Sequence, residues 1–390
     1  MQYDHLKAQF LLKEGITYLN FGAFGACPKP VFERYQQYQL ELEQEPTQFI
    51  TVNGLQYLKQ SREALAAFIN CTTDDLVYVT NPSYAVTIVA KSIQLKEGDE
   101  VLSTNLEYSP CDKTWAYYCA KKGAKYVQQK IKFPLQSKED FIEQFFKGLT
   151  SKTRLIFISQ ITSNTGLRLP VEEICAIAKQ KGLLTFVDGA HAPGQLPINL
   201  DTLQPDFYTG ACHKWMLTPK GSSFFYVTKE LQAICEPLII SWGDKSDTPS
   251  SSQFIDRHQL QGTRDFSAFL TIPVAIDFMA KNNWPAVAEN CRAITRSNAD
   301  RFCELLKATP LTYSKDDFIL QMCCTPVKTK YPEELHQLLL DKYNIQVPIM
   351  QREDMALLRY SIQAFNSQED LDILYNAMED IIRTTSLIEL

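Results

Sequence analysis

The sequence has no regularly spaced cysteines, no cluster of lysine and arginine, and no apolar run long enough to cross a membrane. Its 11 cysteines are scattered without a Cys-x-x-Cys pair, so we expect reduced thiols rather than a disulfide framework or a metal site. The net charge is -6 and the pI is near 5.5. This charge argues against a nucleic acid or an anionic membrane as partner and leaves small-molecule chemistry open.

Signals for targeting and for several other enzyme classes are also missing. The first residues, MQYDHLKAQFLLKEG, lack an apolar core between a basic flank and a small-residue cleavage site, so we expect a cytoplasmic protein. The sequence contains no GxxxxGK[ST], HExxH or GxSxG motif. Phosphate-loop nucleotide binding, zinc protease chemistry and the hydrolase nucleophile elbow are therefore not indicated.

The middle of the chain alternates β-rich runs with segments of helical spacing. The 390 residues are 45% apolar and 22% charged, which is typical of a globular protein of about two domains. In the segment 171–182, Val171, Ile174, Cys175 and Ala178 would share one helix face. This alternation predicts an α/β domain with a mostly parallel sheet of seven strands. The runs are LVYVT (76–80), EVLST (100–104), KYVQQ (125–129), RLIFISQ (154–160), LLTFVD (183–188), DFYTGA (206–211) and SSFFYVT (222–228).

The pattern changes after about residue 275. Longer helical stretches are followed by β-like runs at 317–324, 344–350 and 357–363, and by a final helix from about Gln368. We predict a smaller α+β domain here, completed by the beginning of the chain. The expected division is an N-terminal segment (1–30), a large domain (31–270) and a C-terminal small domain (271–390).

One lysine lies in an unusual sequence context, TGACHKWMLTPKG (209–221). Cys212 and His213 precede Lys214 and Trp215 follows it, although a hydrated ammonium normally stays in water. Polar groups also follow the neighbouring strands, and the carboxyl ends of parallel strands meet at one edge of a sheet. A carboxylate at Asp188, an imidazole, an amide and a helix start are among them.

An aldehyde cofactor with a ring nitrogen and a phosphate would use all of these groups. Lys214 would form a Schiff base, Asp188 would hold the ring nitrogen protonated, and the helix beginning near Ser83 would take the phosphate. The groups therefore predict a pyridoxal 5'-phosphate site. Each has an alternative: Asp188 as a helix N-cap, SNTG (163–166) as a plain turn, and Lys214 as a solvated lysine. Their order along the chain favours the joint interpretation.

The sequence resembles the class V aminotransferase superfamily of fold type I, and within it the isopenicillin N epimerase-like branch. The resemblance covers nearly the whole chain and implies a large domain with a mostly parallel seven-stranded sheet and a smaller α+β C-terminal domain. It is carried by YLNFGAFGACPKPV (18–31), TNPSYAV (80–86), FVDGAHAPGQ (186–195), DFYTGACHKWMLTPKG (206–221), QGTRDFSAFLTIPVAIDF (261–278) and LRYSIQAFNSQEDLD (358–372).

The resemblance implies roles for single residues at the cofactor. Lys214, Asp188 and His191 would be catalytic: Lys214 as the Schiff-base lysine and Asp188 as the partner of the pyridine nitrogen. His191 and Asn164 correspond to groups near the phenolic oxygen. Tyr108 falls where an aromatic ring or histidine stacks on the cofactor, with a core tyrosine as the alternative.

The phosphate group would be bound by the backbone amides of Ser83 and Tyr84 and the side chain of His213. Pro82 has no N–H, so this cradle has one donor fewer than a non-proline residue would give. Ala211 stands where many relatives have a phosphate-binding serine.

For the substrate, the resemblance implies that Arg359 binds the α-carboxylate, a role suited to its planar fork of donors. Asn20 and Gly22 are also expected at the substrate. Gly262 and Thr263 would come from the neighbouring protomer, which implies a homodimer with a shared active site.

Arg264 follows Thr263 and adds a cation close to the shared site. Arg359 has a second interpretation, an ion pair with an acidic residue such as Glu353 or Asp354.

The resemblance implies an enzyme acting at the α-carbon of an amino acid and leaves the reaction open. Cysteine desulfurases of this superfamily need a thiol on a loop preceding the carboxylate arginine, and here no cysteine occurs after Cys324. This argues against desulfurase activity. Epimerisation, β-elimination at a C–S bond and transamination remain, of which we favour the first two. A protein that binds pyridoxal phosphate without turnover is the alternative of another class.

Overall fold

The computed structural model describes residues 4–246, 249–352 and 355–390. Every run predicted between residues 76 and 228 forms a strand, with ends shifted by at most two residues. The strands are β1 Thr17–Tyr18, β2 Leu76–Val79, β3 Glu100–Thr104, β4 Lys125–Gln129, β5 Thr153–Ser159, β6 Leu184–Asp188, β7 Phe207–Ala211, β8 Ser223–Val227, β9 Met322–Val327, β10 Ile345–Gln346, β11 Ile349–Arg352 and β12 Met355–Ser361.

The helices fill most of the intervals between strands. Short single turns occur at Phe49–Asn53, Thr73–Asp75 and Lys229–Ile234. The α-helices are α1 Asp4–Lys7, α2 Phe21–Phe24, α3 Lys29–Gln44, α4 Pro46–Gln48, α5 Gly54–Ile69, α6 Pro82–Ser92, α7 Ser109–Lys121, α8 Lys138–Phe146, α9 Val171–Gln180, α10 Leu200–Leu203, α11 Gln253–Gln259, α12 Ser267–Leu270, α13 Ile272–Lys281, α14 Trp284–Leu305, α15 Lys315–Phe318, α16 Pro332–Tyr343 and α17 Gln368–Thr384.

The large sheet has seven strands in the order β2-β8-β7-β6-β5-β3-β4. Only β8 runs antiparallel to its neighbours, β2 and β7. The predicted α/β class with a mostly parallel sheet is therefore confirmed. Strands β3, β7 and β8 are buried along their whole length, as expected for a sheet covered by helices on both faces.

Packing on the sheet follows the sequence pattern. All four residues predicted to share a face of α9 are buried, because their i, i+3, i+4 and i+7 spacing places them on one side of the helix. Aromatic side chains also pack together in the core of the large domain, and the burial of each such ring stabilises the folded state by roughly 2 kcal/mol. These rings belong to Trp115, Phe157, Phe186, Phe207 and Phe225.

Toward the C-terminus, β11, β12 and β9 form an antiparallel sheet, and α17 begins at Gln368 as predicted. In the β-like run 317–324 the first residues belong instead to α15, and strand β9 begins at Met322. The run 344–350 is split into β10 and β11 around Val347 and Pro348, since proline cannot donate to a ladder.

The start of the chain lies beside the C-terminal region, because β1 pairs in parallel with β10. The domain limits 1–30, 31–270 and 271–390 stay a prediction. Among the described residues, no helix is both long and apolar enough to cross a bilayer.

Candidate active site

A cavity of about 500 Å³ lies at the carboxyl ends of the parallel strands, where β6 ends in Asp188 and β7 leads to Lys214. This is the position expected for a ligand site in an open α/β sheet. Seven of the predicted residues line the cavity: Ser83, Tyr84, Tyr108, Asp188, His191, His213 and Lys214. Six others lie outside its wall: Asn20, Gly22, Asn164, Gly262, Thr263 and Arg359.

Two glycines allow other backbone segments to approach the residues on either side of Lys214 closely. A Cβ on Gly25 would lie 2.2 Å from the His213 carbonyl oxygen, and one on Gly194 would lie 2.1 Å from the Trp215 carbonyl oxygen. Both glycines have positive φ angles, +66° and +94°. Only residues without a side chain allow segments so distant in sequence to approach this closely.

The side chain of Lys214 lies in surroundings that disfavour its charge. Burial lowers the pKa of Lys214 to about 8, and Arg359 adds to the lowering while Asp188 opposes it. Lys214 is half-buried and lines the cavity rather than the outer surface, and its role there stays a prediction. The amine Nζ lies 3.1 Å from Nε2 of His191. A lysine whose pKa lies near neutrality supplies a free amine, which is the form that attacks an aldehyde.

Asp188 is buried at the end of β6, and its pKa is raised by burial. Oδ1 accepts the Ala190 N–H at 2.9 Å, whereas Oδ2 has only a long contact of 3.8 Å from the Cys111 thiol. Asp188 is not a helix N-cap, because the next helix in the described chain begins at Leu200. One carboxylate oxygen thus remains for a cationic donor.

At the proposed phosphate end, Ser83 and Tyr84 lie in the first turn of α6, whose N-terminus carries partial positive charge. The Tyr84 N–H already donates to the Asn81 carbonyl oxygen at 3.1 Å. His213 Nδ1 lies 2.8 Å from the Ser222 carbonyl oxygen, so it carries the hydrogen and donates. His213 can then donate to phosphate through Nε2 only as a cation, although burial lowers its pKa to about 4. A phosphate dianion would favour that cation.

Tyr108 and Asn164 differ in their relation to the cavity. Tyr108 is 43% exposed and lines the cavity, so the alternative of a core tyrosine is wrong. Asn164 lies in the SNTG turn, where its carbonyl oxygen accepts a contact from Cys324 Sγ at 3.2 Å. The role of its side chain near the cofactor stays a prediction.

Arg359 lies on β12 and is buried, with 2% of its surface exposed. Its guanidinium donates to the Ser163 carbonyl oxygen at 2.5 Å and to Asn20 Oδ1 at 3.1 Å, and Nε has no partner among the described atoms. No acidic side chain of the described residues pairs with it, while Glu353 and Asp354 lie outside them. Because Ser163 lines the cavity, Arg359 is a buried cation directly behind its wall.

Of the other predicted substrate and partner residues, Gly22 is fixed by a hydrogen bond, in which its N–H donates to Ser361 Oγ at 3.2 Å. Gly262 and Thr263 are exposed and do not reach the cavity of their own chain. Arg264, next to them, is partly buried, and its Nε lacks a partner in the described structure.

Sequence reasoning missed Glu107, which lies behind the cavity wall. Its carboxyl accepts hydrogen bonds from Thr104 Oγ1 at 2.7 Å and from the backbone N–H and hydroxyl of Ser159 at 2.9 and 2.5 Å. Burial raises the pKa of Glu107 to about 8. The available signal was an acidic residue in LEYSP, directly after an apolar strand.

The groups around the cavity fit pyridoxal phosphate. Lys214 offers an amine for the aldehyde, and Asp188 offers an open carboxylate oxygen for the ring nitrogen. His191 lines the same cavity and offers an imidazole nitrogen. Residues of the first turn of α6 also line the cavity. A buried carboxylate and a buried amine whose pKa values are both shifted by burial are typical of a functional site, and their roles here stay a prediction.

Comparisons with known proteins identify the family and the fold. The family model Aminotransferase class-V matches residues 17–374. Isopenicillin N epimerase of Amycolatopsis lactamdurans is 30% identical, over 97% of this chain and 98% of its own length. L-cysteine desulfhydrase of Arabidopsis thaliana is 26% identical, over 95% and 88% respectively. The structure of cysteine desulfurase from Thermococcus onnurineus NA1 has a TM-score of 0.83 at 20% identity, covering 97% of this chain and 98% of that one. This likeness confirms the expected fold.

Proposed function

This chain belongs to the class-V aminotransferase family of pyridoxal 5'-phosphate-dependent enzymes, and from that premise we propose that it acts at the α-carbon of an amino acid through Lys214. The observation that carries the proposal is the desolvated Lys214 amine beside the buried carboxylate of Asp188 in one cavity. When bound, the cofactor withdraws electrons from the α-carbon and so labilises its bonds and a leaving group at the β-carbon.

The residues that would hold the cofactor surround this cavity. Lys214 would hold its aldehyde covalently, and Asp188 Oδ2 would accept the hydrogen of the ring nitrogen. His191 would donate to the phenolic oxygen, and Ser83 and His213 would bind the phosphate. The Lys214 amine, when not bound to the aldehyde, would act as the base that moves a proton at the α-carbon.

Arg359 would orient the amino acid by binding its α-carboxylate. Its support is a buried guanidinium whose partners, the Ser163 carbonyl oxygen and Asn20, are both uncharged. An anion that enters from the cavity would neutralise the positive charge of the Arg359 guanidinium.

Replacement of Arg359 by lysine is expected to weaken amino-acid binding by about 10- to 100-fold, because a point charge loses the two-pronged hydrogen bonding of the guanidinium. Titration of wild type and variant with several amino acids measures this loss beside a thermal melt. The matched control is Arg301→Lys, which alters an arginine paired with Asp372 far from the cavity. Unchanged amino-acid affinity with a lowered melting temperature would assign Arg359 a structural role.

The reaction that follows is proposed as epimerisation or as β-elimination at a C–S bond. Similarity to an epimerase at 30% identity favours the first. The second is favoured because Lys214 is the one amine among the described residues of the cavity wall, and elimination needs a single strong base. Since no cysteine lies among those residues, a persulfide-forming mechanism lacks its nucleophile.

A panel of L- and D-amino acids and cysteine conjugates distinguishes the outcomes. Exchange of the α-hydrogen for deuterium with inversion identifies epimerisation. Pyruvate and ammonia released in equal amounts with a thiol identify elimination. A keto acid formed while an acceptor keto acid is consumed identifies transamination, the alternative within the family. Cofactor binding without any of these products would leave a non-catalytic binding protein and contradict the proposal.

The site is proposed to be completed by a second copy of the chain. Gly262 and Thr263 are exposed and do not reach their own cavity, so they would act in the partner's. Nearby, Ile240 and Trp242 expose 62% and 81% of their surface, which is unusual for side chains of this size and typical of an interface.

A further inference from the structure

Each ring nitrogen of His191 has a different hydrogen-bond partner. The indole N–H of Trp215 donates to His191 Nδ1 at 3.2 Å, and His191 Nε2 lies 3.1 Å from Lys214 Nζ. Because an indole nitrogen can only donate, Nδ1 must carry the lone pair. A neutral imidazole then bears its single hydrogen on Nε2, the atom that faces Lys214.

This arrangement distinguishes between the two forms of Lys214. An ammonium has three donors and no acceptor, so it opposes the Nε2–H, whereas a neutral amine accepts that hydrogen. The imidazole itself stays neutral, because its burial disfavours protonation and the nearby Arg359 guanidinium adds to that effect. The hydrogen on Nε2 is thus also the one available to an acceptor in the cavity.

We propose that Trp215 is a positioning residue that fixes the Nε2–H tautomer of His191 and thereby keeps Lys214 as a free amine. The effect is transmitted through two hydrogen bonds and requires no contact between Trp215 and a ligand. Its meaning for catalysis rests on the proposed role of Lys214, while the tautomer itself is a property of the folded chain.

Other groups also act on Lys214. Asp188 and Cys111 favour its charged form, while burial and Arg359 disfavour it. A Trp215→Phe substitution leaves all four influences in place. It also keeps an aromatic ring against Phe21. In the wild type the ring centroids of Phe21 and Trp215 are 4.9 Å apart. Without the indole donor, His191 can move its hydrogen to Nδ1 and accept from the Lys214 ammonium.

Nitrogen-15 solid-state NMR of protein labelled at its five histidines tests the tautomer directly, in the holoprotein and in the full-length chain freed of cofactor. The His191 signals are identified by their loss in His191→Gln. We expect a neutral ring protonated at Nε2 in wild type and a shift toward the Nδ1–H form in Trp215→Phe. A wild-type His191 protonated at Nδ1 would overturn the proposal.

The effect on Lys214 is measured by competitive acetylation of the cofactor-free full-length chain across pH, with mass spectrometry of the Lys214 peptide. Trp215→Phe is expected to raise the midpoint by about one pH unit, because the ammonium gains an acceptor. The matched control is Trp284→Phe, which removes a buried indole hydrogen bond of 3.1 Å to the Gly194 carbonyl oxygen without touching His191.

An unchanged Lys214 midpoint in Trp215→Phe, or an equal shift in Trp284→Phe, would contradict the positioning role. Neither measurement depends on turnover. If Lys214 did not bind the cofactor, the proposed function would fail while these results stood unchanged, so the two failures are distinguishable.

Discussion

Replacement of Lys214 by alanine is expected to lower turnover by at least about 10³-fold, because one residue would both hold the cofactor and move the proton at the α-carbon. The pKa near 8 makes this amine suited to both tasks at neutral pH. The variant should fold normally, since the Lys214 side chain lines the cavity rather than filling the core. Turnover, cofactor content and thermal melting are measured on the same preparation.

Lys220 provides the matched control for this prediction. It lies in the same loop, and burial lowers its pKa as well, but its Nζ donates to the Gly25 carbonyl oxygen at 3.3 Å and it does not line the cavity. Lys220→Ala should keep most of the activity. Equal losses in both variants, or a Lys214→Ala enzyme with near-normal turnover, would remove the special role of Lys214.

Replacement of Asp188 by asparagine is expected to lower turnover by a factor on the order of 10² to 10³, while cofactor remains bound. The amide oxygen of asparagine can still accept the Ala190 N–H, so the local turn is preserved. A neutral amide, however, cannot balance a protonated ring nitrogen in a buried site. Turnover and the cofactor content of the purified variant are measured together.

Asp206 is a suitable control because it is a half-buried carboxylate whose pKa is also raised by burial, and it lies at the amino end of β7 rather than at the carboxyl end of a strand. It accepts the Thr185 N–H at 2.7 Å and the Thr185 hydroxyl at 3.1 Å. Asp206→Asn should lower stability more than activity. If Asp188→Asn retained near-normal turnover, its carboxylate would have only a structural role.

The strands and the class of fold were predictable because their signal is local. Most strands of the large sheet are short runs rich in apolar residues, although β4 is mainly polar, and α9 shows its buried face at fixed spacing. The run 317–324 was misassigned at its start, since Asp317 and Phe318 end a helical turn that apolar content alone does not reveal. Proline at position 348 was the visible sign that the run 344–350 would divide.

The cavity-lining residues were predicted from the order of motifs, whereas contacts between distant segments were not. Trp215 was noted as a desolvating neighbour of Lys214, but its hydrogen bond to His191 depends on how β6 and β7 lie side by side. Gly25 reaches His213 from almost two hundred residues away. Glu107 resembles a surface residue in sequence and is buried only because Thr104 and Ser159 converge on it. Such proximity is set by tertiary packing, which spacing along the chain does not encode.

Borohydride reduction of the purified protein followed by peptide mass spectrometry shows directly whether Lys214 is the lysine that holds the cofactor. We expect a yellow protein whose visible absorbance is bleached on reduction, with the reduced cofactor fixed to the peptide that carries Lys214. The nearby Lys220 is the internal comparison, because it shares the loop and the same peptide region. A reduced adduct on Lys220 or any other lysine, or a protein without an adduct, would contradict the account.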